Sequence, residues 1–170
     1  MKENLTDNDL KHLKHCLILA TESVKAGDKP FGSILVNENE DVIAEARNRV
    51  IELTALAHPE YELAKWAAEN LSPEQRKQTK MYTTGEHCPM CAAAHGWVGL
   101  GEIIYLSSAK QLQEWLAEMN VPPAPIRFYP VEEIIPGIKV KGPAEGALLE
   151  EIKKLHQEYY DKMRSKNLLK

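Results

Sequence analysis

The sequence predicts an α/β protein of three layers, α/β/α, in which helices cover both faces of a mixed five-stranded sheet. Segments with apolar residues at helical spacing alternate along the chain with short apolar runs that are typical of strands. The run EIIYLSS begins with consecutive apolar residues, which indicates a strand buried on both faces of a sheet. A chain of 170 residues, 44% hydrophobic and 27% charged, has the length for one domain with a substantial core.

The individual elements follow from local signals. Thr6 and Asp7 can cap a first helix that continues to about Ala26, where glycine and proline end it. A hairpin follows, with a polar turn between its two strands. Strands are predicted at 34–36, 42–46, 81–84, 102–108 and 126–129. After the first helix, further helices are predicted at 58–70, 91–100, 109–119 and 143–164. The segment 71–78 is predicted to be a loop.

Charge and composition exclude several classes of protein. The net charge of −4 argues against a surface that grips nucleic acid, because each contacted phosphate favours a Lys or Arg. There is no run of about 18 apolar residues that could cross a membrane. The polar start MKENLTDNDLKH does not resemble a signal peptide, and with three cysteines the chain is expected in the reducing cytoplasm.

The stretch GEHCPMC places Cys88 and Cys91 in a C-x-x-C spacing. Its position after a strand and before a helix suits a thiol redox pair. A structural zinc site would need further ligands, and the one remaining cysteine, Cys16, lies on the apolar side of the first helix. A catalytic zinc site is the third interpretation, because His58 at the start of another helix would complete three ligands and leave the fourth position open. Glu60 could then reach that position without being a ligand.

The pattern H-P-E followed by C-P-M-C resembles the zinc signature H-x-E…P-C-x-x-C of the cytidine deaminase-like superfamily. The stretch KPFGSILVNENEDVIAEARNRV is similar to the first hairpin of that family. Trp97 stands where guanine deaminases of this fold carry a tryptophan, so the resemblance is closest to them. It covers residues 8–119. The expectation is one deaminase domain over 1–170, with a divergent tail and helix from about residue 120.

Two positions depart from the family pattern. Pro59 stands where Ala is common, and proline is well tolerated in the first turn of a helix. His87 stands where the family has Pro before its first zinc cysteine. It is interpreted as a fourth zinc ligand, a substrate contact or a solvent-facing replacement.

The resemblance implies a role for each matching residue. Glu60 would move protons during hydrolytic deamination of a nucleobase. Zinc would be held by His58, Cys88 and Cys91, and the base by Asn48, Phe31 and Trp97. Each substrate contact has a simpler alternative, since Phe31 and Trp97 could be core aromatics and Asn48 a turn residue.

The predicted substrate is a free nucleobase, guanine first. Cytosine, cytidine, deoxycytidylate and the wobble adenosine of tRNA remain alternatives, as do a redox protein and a zinc protein without catalysis. Most proteins of this kind are homodimers, and the same is expected here, without a nucleic-acid or membrane partner. The charged stretch 150–166 is typical of a solvated helix face rather than of a binding site.

Overall fold

The computed structural model describes residues 4–169 and confirms the predicted fold class. Five strands form one sheet in the order β2-β1-β3-β4-β5. They are β1 (Gly32–Val36), β2 (Val42–Arg47), β3 (Lys80–Gly85), β4 (Ile103–Ser107) and β5 (Val140–Lys141). The sheet is mixed, because β1 pairs antiparallel with β2 and β3, whereas β3, β4 and β5 are parallel.

The helices of the described residues lie on both faces of this sheet. They are α1 (Asp7–Ala26), α2 (Pro59–Asn70), α3 (Pro73–Gln78), α4 (Pro89–Val98), α5 (Ala109–Glu118), α6 (Val131–Ile134) and α7 (Ala147–Ser165). Thr6 caps α1 as predicted, through a reciprocal pair of hydrogen bonds with Asp9.

Alternation along the strands builds two core layers. Ile34 and Tyr82 face α1, whereas Leu35 and Met81 face α2, since successive strand residues point to opposite sides. The same rule places Ile104 in the α1 layer. Because α1, α5 and α7 contribute to one layer and α2 and α4 to the other, helices cover both faces of the sheet as the sequence predicted, and β4 is buried along its whole length.

Several predicted elements are corrected by the structure. The stretch 71–78 is not all loop, because Ser72 and Gln75 cap the short helix α3 reciprocally. The predicted strand at 126–129 is wrong, and the fifth strand is Val140–Lys141, which pairs with β4. Among residues 4–169 the segment 126–129 pairs with no strand of the sheet, so its β propensity is not realised. The last helix begins at Ala147 rather than near residue 143.

The C-terminal helix α7 packs against α1 and β4, on the same face of the sheet as α5. Its apolar side contributes Ile152 to the core. Among the described helices, none combines the length and the apolar character that a membrane crossing requires.

Candidate active site

The candidate site lies where the N-termini of α2 and α4 meet, beside the carboxyl end of β3. His58 is the N-cap residue of α2 and Cys88 that of α4, each followed by a proline in the first turn. Neither side chain is used to cap its own helix, so both are free to bind a ligand. The two helices pack against each other, which brings together residues 30 positions apart in the sequence.

Three potential metal ligands converge there. Nδ1 of His58 lies 3.6 Å from Sγ of Cys88 and 3.6 Å from Sγ of Cys91, and the two sulfurs are 3.5 Å apart. A tetrahedral zinc with bonds of about 2.3 Å to sulfur and about 2.0–2.1 Å to nitrogen separates its ligands by about 3.5–3.8 Å. The spacing and the donor types therefore fit zinc, and one tetrahedral position remains open.

The pKa values of the two cysteines are shifted by their contacts with each other and with His58. The hydrogen bond between Cys88 and Cys91, supported by the one between Cys88 and His58, lowers the pKa of Cys88 to about 4 despite burial. The pKa of Cys91 is raised by that same hydrogen bond and by burial. The hydrogen bond to Cys88 also raises the pKa of His58. Because thiols bind metals as thiolates, the lowered pKa of Cys88 favours a cation at this position.

Glu60 lies in the first turn of α2, only 5% exposed. The hydroxyl of Thr83 donates to its Oε1 at 2.7 Å, and the hydroxyl of Ser33 lies 3.1 Å from the same oxygen. Its Oε2 lies 3.8 Å from Sγ of Cys91. Burial raises the pKa of Glu60, while the bond from Thr83 opposes that shift. A carboxyl group with a raised pKa beside a metal site is suited to moving protons.

Ser33 and Thr83 are the site residues that the sequence reasoning missed. Both are fully buried, and their hydroxyls lie 2.9 Å apart on the adjacent strands β1 and β3. A signal was present, because each is a hydroxyl residue within a strand predicted to lie in the sheet, where a buried hydroxyl needs a hydrogen-bond partner.

Asn48 is buried immediately after β2. Its backbone N–H donates to the carbonyl of Phe31 at 2.9 Å, and its Oδ1 accepts from the N–H of Val50 at 3.2 Å. The second bond is the turn geometry that the simpler alternative predicted. Among residues 4–169, nothing accepts a hydrogen bond from its Nδ2, so this amide group remains available to a ligand.

Phe31 and Trp97, the two candidate aromatic contacts, differ in their exposure to solvent. Phe31 is half-buried and packs over Gly85, where an added Cβ would lie 3.2 Å from the phenyl ring. Gly85 therefore lets the ring approach the end of β3. Trp97 is 92% exposed on α4, so its interpretation as a core aromatic is wrong. Nor does a side chain so exposed form an enclosed wall of a pocket within this chain.

His87 is not a solvent-facing replacement, since it is buried. Its ring packs edge-on against that of His95, with centroids 5.2 Å apart, and neither of its nitrogens has a hydrogen-bond partner among residues 4–169. Burial and the neighbouring His95 lower its pKa well below the usual value. The metal-ligand cluster found in the same part of the chain contains three residues and not His87, which gives no support to a fourth ligand.

Comparison with known sequences identifies the family. Residues 6–107 match the cytidine and deoxycytidylate deaminase zinc-binding region, and the chain belongs to this family. The match includes all three residues of the ligand cluster. Zinc is therefore the cofactor for which this region is built, as the sequence predicted.

The chain is similar to several curated proteins of different specificity. It is 32% identical over 111 residues to a probable cytosine deaminase of Schizosaccharomyces pombe, with 64% of this chain and 65% of that protein covered. A guanine deaminase of Bacillus subtilis is 35% identical over 95 residues, 55% of this chain and 60% of that protein. A tRNA-specific adenosine deaminase of Haemophilus influenzae is 30% identical over 87 residues, which cover 51% of this chain and 50% of that protein. The matches thus span half to just under two thirds of the relatives' lengths.

A solved structure extends the likeness of the fold to the C-terminal part. The guanine deaminase of Nitrosomonas europaea superposes with a TM-score of 0.67 at 20% identity. This superposition covers 95% of this chain and 88% of that one. The fold therefore continues beyond the segment that the sequence family covers.

Proposed function

We propose that the protein is a zinc-dependent hydrolytic deaminase of a free nucleobase, with guanine or a related aminated heterocycle as the favoured substrate. The placement of Glu60 carries this proposal. Its buried carboxyl group is hydrogen-bonded by Thr83 and lies 3.8 Å from a zinc-binding sulfur. A hydrolytic deaminase needs such a proton-transferring group beside its metal, and this group is not a metal ligand.

His58, Cys88 and Cys91 would hold zinc, which would supply a Lewis acid that can lower the pKa of bound water to about 7. The protein contributes the electrostatic environment of the metal. The positive ends of α2 and α4 point into the site and favour negative charge there. Backbone N–H groups in the first turns can stabilise an oxygen anion that forms during the attack.

Glu60 has the position of the general base and general acid. Oε1 is held by Thr83, which leaves Oε2 to take a proton from the attacking water. The same oxygen can return that proton to a ring nitrogen and pass the next one to the departing amine. Water and the amino-heterocycle are then converted to the oxo-heterocycle and ammonia, and the carboxylate is restored.

Three features support a free nucleobase. The half-buried ring of Phe31 offers a surface on which a flat ring can stack, and Nδ2 of Asn48 offers a donor to the edge of that ring. The net charge of −4 disfavours a nucleic-acid substrate. Among the relatives, the guanine deaminase of Bacillus subtilis acts on a free base, which supports guanine as the first candidate.

Cytosine is the second candidate, because the probable cytosine deaminase is similar over a longer segment of this chain. Cytidine and deoxycytidylate are less favoured, since they add a sugar or a phosphate. The deciding experiment measures kcat/KM from ammonia release with guanine, adenine, cytosine, cytidine and deoxycytidylate. The proposal expects guanine to lead. A clear lead for a pyrimidine would contradict the guanine assignment and leave the zinc chemistry in place.

Replacing Asn48 tests the substrate contact. We expect Asn48→Ala to reduce kcat/KM for guanine by about 10-fold or more, because a hydrogen bond to the base is lost. Zinc content should stay unchanged. An unaltered kcat/KM would leave Asn48 with its turn-forming hydrogen bond to Val50 alone.

We further propose that the protein is a cytoplasmic homodimer. Of the large apolar side chains that are exposed among residues 4–169, three lie shortly before α2 and one lies on α4: Ile51, Leu53, Leu56 and Trp97. Apolar side chains concentrated before α2 and on α4 are more easily explained by burial against a second copy than by contact with water. A reducing compartment would keep the zinc-binding thiols free. Sedimentation of the purified protein as a monomer at micromolar concentration would contradict the dimer.

A further inference from the structure

Asp28 is a buried aspartate directly after the C-terminal end of α1, and it is only 1% exposed. Its side chain takes no part in ending the helix, because the backbone N–H groups of Gly27 and Asp28 bond to carbonyls of the last turn. A buried carboxylate is costly unless it is hydrogen-bonded or paired with a cation. The contacts of Asp28 therefore indicate which part of the structure it holds.

The carboxylate of Asp28 contacts the end of β2 and the loop that follows it. Its Oδ1 accepts a hydrogen bond of 2.6 Å from the backbone N–H of Ile51, 23 residues further along the chain. Its Oδ2 lies 3.5 Å from Nη1 of Arg47 and has no hydrogen bond among residues 4–169. Hydrogen bonds to an ionised acceptor are shorter and stronger than neutral ones. The bond to Ile51 is therefore a strong connection between the end of α1 and this loop.

The loop between β2 and α2 carries a candidate site residue at each end, Asn48 at its start and His58 at the start of α2. The N–H of Arg49 donates to the carbonyl of Ala57 at 3.0 Å, which closes the loop. The half nearer His58 has a hydrogen bond of its own, from the N–H of Ala57 to the carbonyl of Thr54 at 3.0 Å. The buried carboxylate contacts the half nearer Asn48, so it concerns the base contact rather than the zinc ligand.

The side-chain amide of Asn48 is oriented by the turn that Asp28 holds. Oδ1 of Asn48 accepts from the N–H of Val50 at 3.2 Å, which is the hydrogen bond of an Asx turn. The next N–H along the chain, that of Ile51, donates to Asp28. Two successive peptide groups are thus bound by the two side chains. Fixing the second limits rotation of the first, and the amide of Asn48 then presents its free Nδ2 in one direction.

The backbone of Asn48 is held by other groups. Its N–H donates to the carbonyl of Phe31 at 2.9 Å. Its carbonyl accepts from the hydroxyl of Ser23 at 2.9 Å and from Nη1 of Arg47 at 3.0 Å. The first two of these bonds do not involve Asp28. Loss of the carboxylate should therefore leave Asn48 in place and release only the rotation of its side-chain amide.

We propose that Asp28 is a positioning residue for base recognition, because it fixes the turn at Val50 and Ile51 and thereby the direction of Nδ2 of Asn48. Asp28 acts through Asn48 and touches neither the base nor the metal. The inference rests on the proposed function, which makes Asn48 a contact of the base. A donor that is oriented before binding loses less conformational entropy when the base arrives, so its effect appears in KM.

Kinetics of zinc-loaded variants test this role. We expect Asp28→Ala to raise KM by about 3- to 10-fold, with kcat and zinc content nearly unchanged. Asp28→Asn keeps an oxygen that can accept from Ile51 and should recover most of the loss. Asp41→Ala is the matched control, since Asp41 is exposed in the turn at the other end of β2, and it should have the unaltered KM. An unchanged KM in Asp28→Ala would overturn the inference.

The double variant distinguishes positioning from general support of the fold. If Asp28 acts through Asn48, adding Asp28→Ala to Asn48→Ala should change KM little, because the group being positioned is already absent. Independent effects would instead multiply. A double variant whose loss equals the product of the two single losses would overturn the inference.

NMR spectroscopy of the isotope-labelled, zinc-loaded protein without substrate gives a readout apart from activity. The side-chain amide signals of Asn48 are assigned by their absence in Asn48→Ala. In Asp28→Ala these signals should shift and the N–H of Ile51 should exchange faster with solvent, because its acceptor is lost. Neither should change in Asp41→Ala. Unchanged signals and unchanged exchange in Asp28→Ala would overturn the inference, whatever the kinetics show.

The two measurements also separate failure of this inference from failure of the proposed function. KM is measured with the compound of highest kcat/KM in the substrate panel, so the test does not depend on the guanine assignment. If Asn48→Ala has the unaltered KM, or if no compound is deaminated, the proposed base contact fails and the role of Asp28 in recognition fails with it. The NMR result then decides whether Asp28 orients the amide.

A second variant replaces Asp28→Ala if that protein does not fold. Asp28→Ser keeps a polar group at the buried position, but its side chain is one bond shorter and does not reach Ile51. It should raise KM and shift the Asn48 signals as Asp28→Ala does. Unaltered KM and unaltered signals in Asp28→Ser would overturn the inference.

Discussion

The hydroxyl of Thr83 and the carboxyl group of Glu60 are joined by a hydrogen bond of 2.7 Å. One residue lies inside β3 and the other in the first turn of α2, so the bond connects the sheet to the helix that begins at His58, a proposed zinc ligand. It occupies Oε1 and leaves Oε2 facing Cys91. A carboxyl group held in this way needs little reorganisation when it transfers a proton.

Replacing the carboxyl group should separate catalysis from metal binding. We expect Glu60→Gln to keep the fold and the zinc while lowering kcat by about 10²- to 10⁴-fold, because an amide cannot take up and return a proton. Ammonia release by protein of known zinc content measures it. Glu62→Gln, at an exposed position on the same helix, is the control and should be fully active. Wild-type turnover by zinc-loaded Glu60→Gln would assign the proton transfer to another group.

The zinc content of the purified protein tests the proposed metal site. We expect about one zinc per chain by elemental analysis, and its loss in Cys91→Ala, because only two ligands would remain. Cys16→Ala is the matched control, since that buried thiol lies in the α1 core layer and should leave the zinc content unchanged. Metal-free protein with a disulfide between Cys88 and Cys91 would instead favour the thiol redox interpretation.

Transfer RNA should bind weakly. The net charge of −4 provides little counterion release on contact with a phosphate backbone. We expect no shifted band in gel-shift titrations at low salt, and no deamination of tRNA. The tRNA-specific adenosine deaminase of Haemophilus influenzae, 30% identical over 87 residues, provides the positive control. Tight binding that weakens steeply with salt would contradict the expectation and indicate a local basic surface.

Acid should destabilise the protein through its buried histidines. Burial lowers the pKa of His95 to about 4 and that of His156 to about 3, whereas histidine in an unfolded chain titrates near about 6.5. Between these values the unfolded chain binds more protons than the folded one, so stability is full above about pH 6.5 and falls as the pH drops.

Each such histidine contributes a slope of up to about 1.4 kcal/mol per pH unit to the free energy of unfolding. Urea unfolding of His156→Phe and of the unaltered protein, from pH 7 to pH 5, measures the difference. The free energy of unfolding of His156→Phe should fall less steeply as the pH drops, and the difference in slope should correspond to the contribution of about one histidine. Parallel curves would mean that His156 is protonated in the folded protein as well.

The sequence alone determined the local chemistry of the site. Proline after His58 and after Cys88 marks two helix N-termini, and the periodicity of apolar residues predicts most of the helices and strands. These signals act within a few residues of the chain, so they can be recognised without knowledge of the fold. The pattern around Cys88 and Cys91, together with the H-P-E segment, also predicted the zinc-binding family that the comparison confirmed.

Only the tertiary structure decided which distant groups meet. Thr83 bonds to Glu60, His156 is buried beside Phe31 and Trp97 is left exposed, and no local signal identifies the partner or the burial in these three cases. The fifth strand is likewise only two residues long and exists through its pairing with β4. Burial and long-range pairing depend on how whole helices and strands pack against one another. A periodic sequence pattern shows which face of a helix or strand is apolar, but it does not show which other element packs against that face.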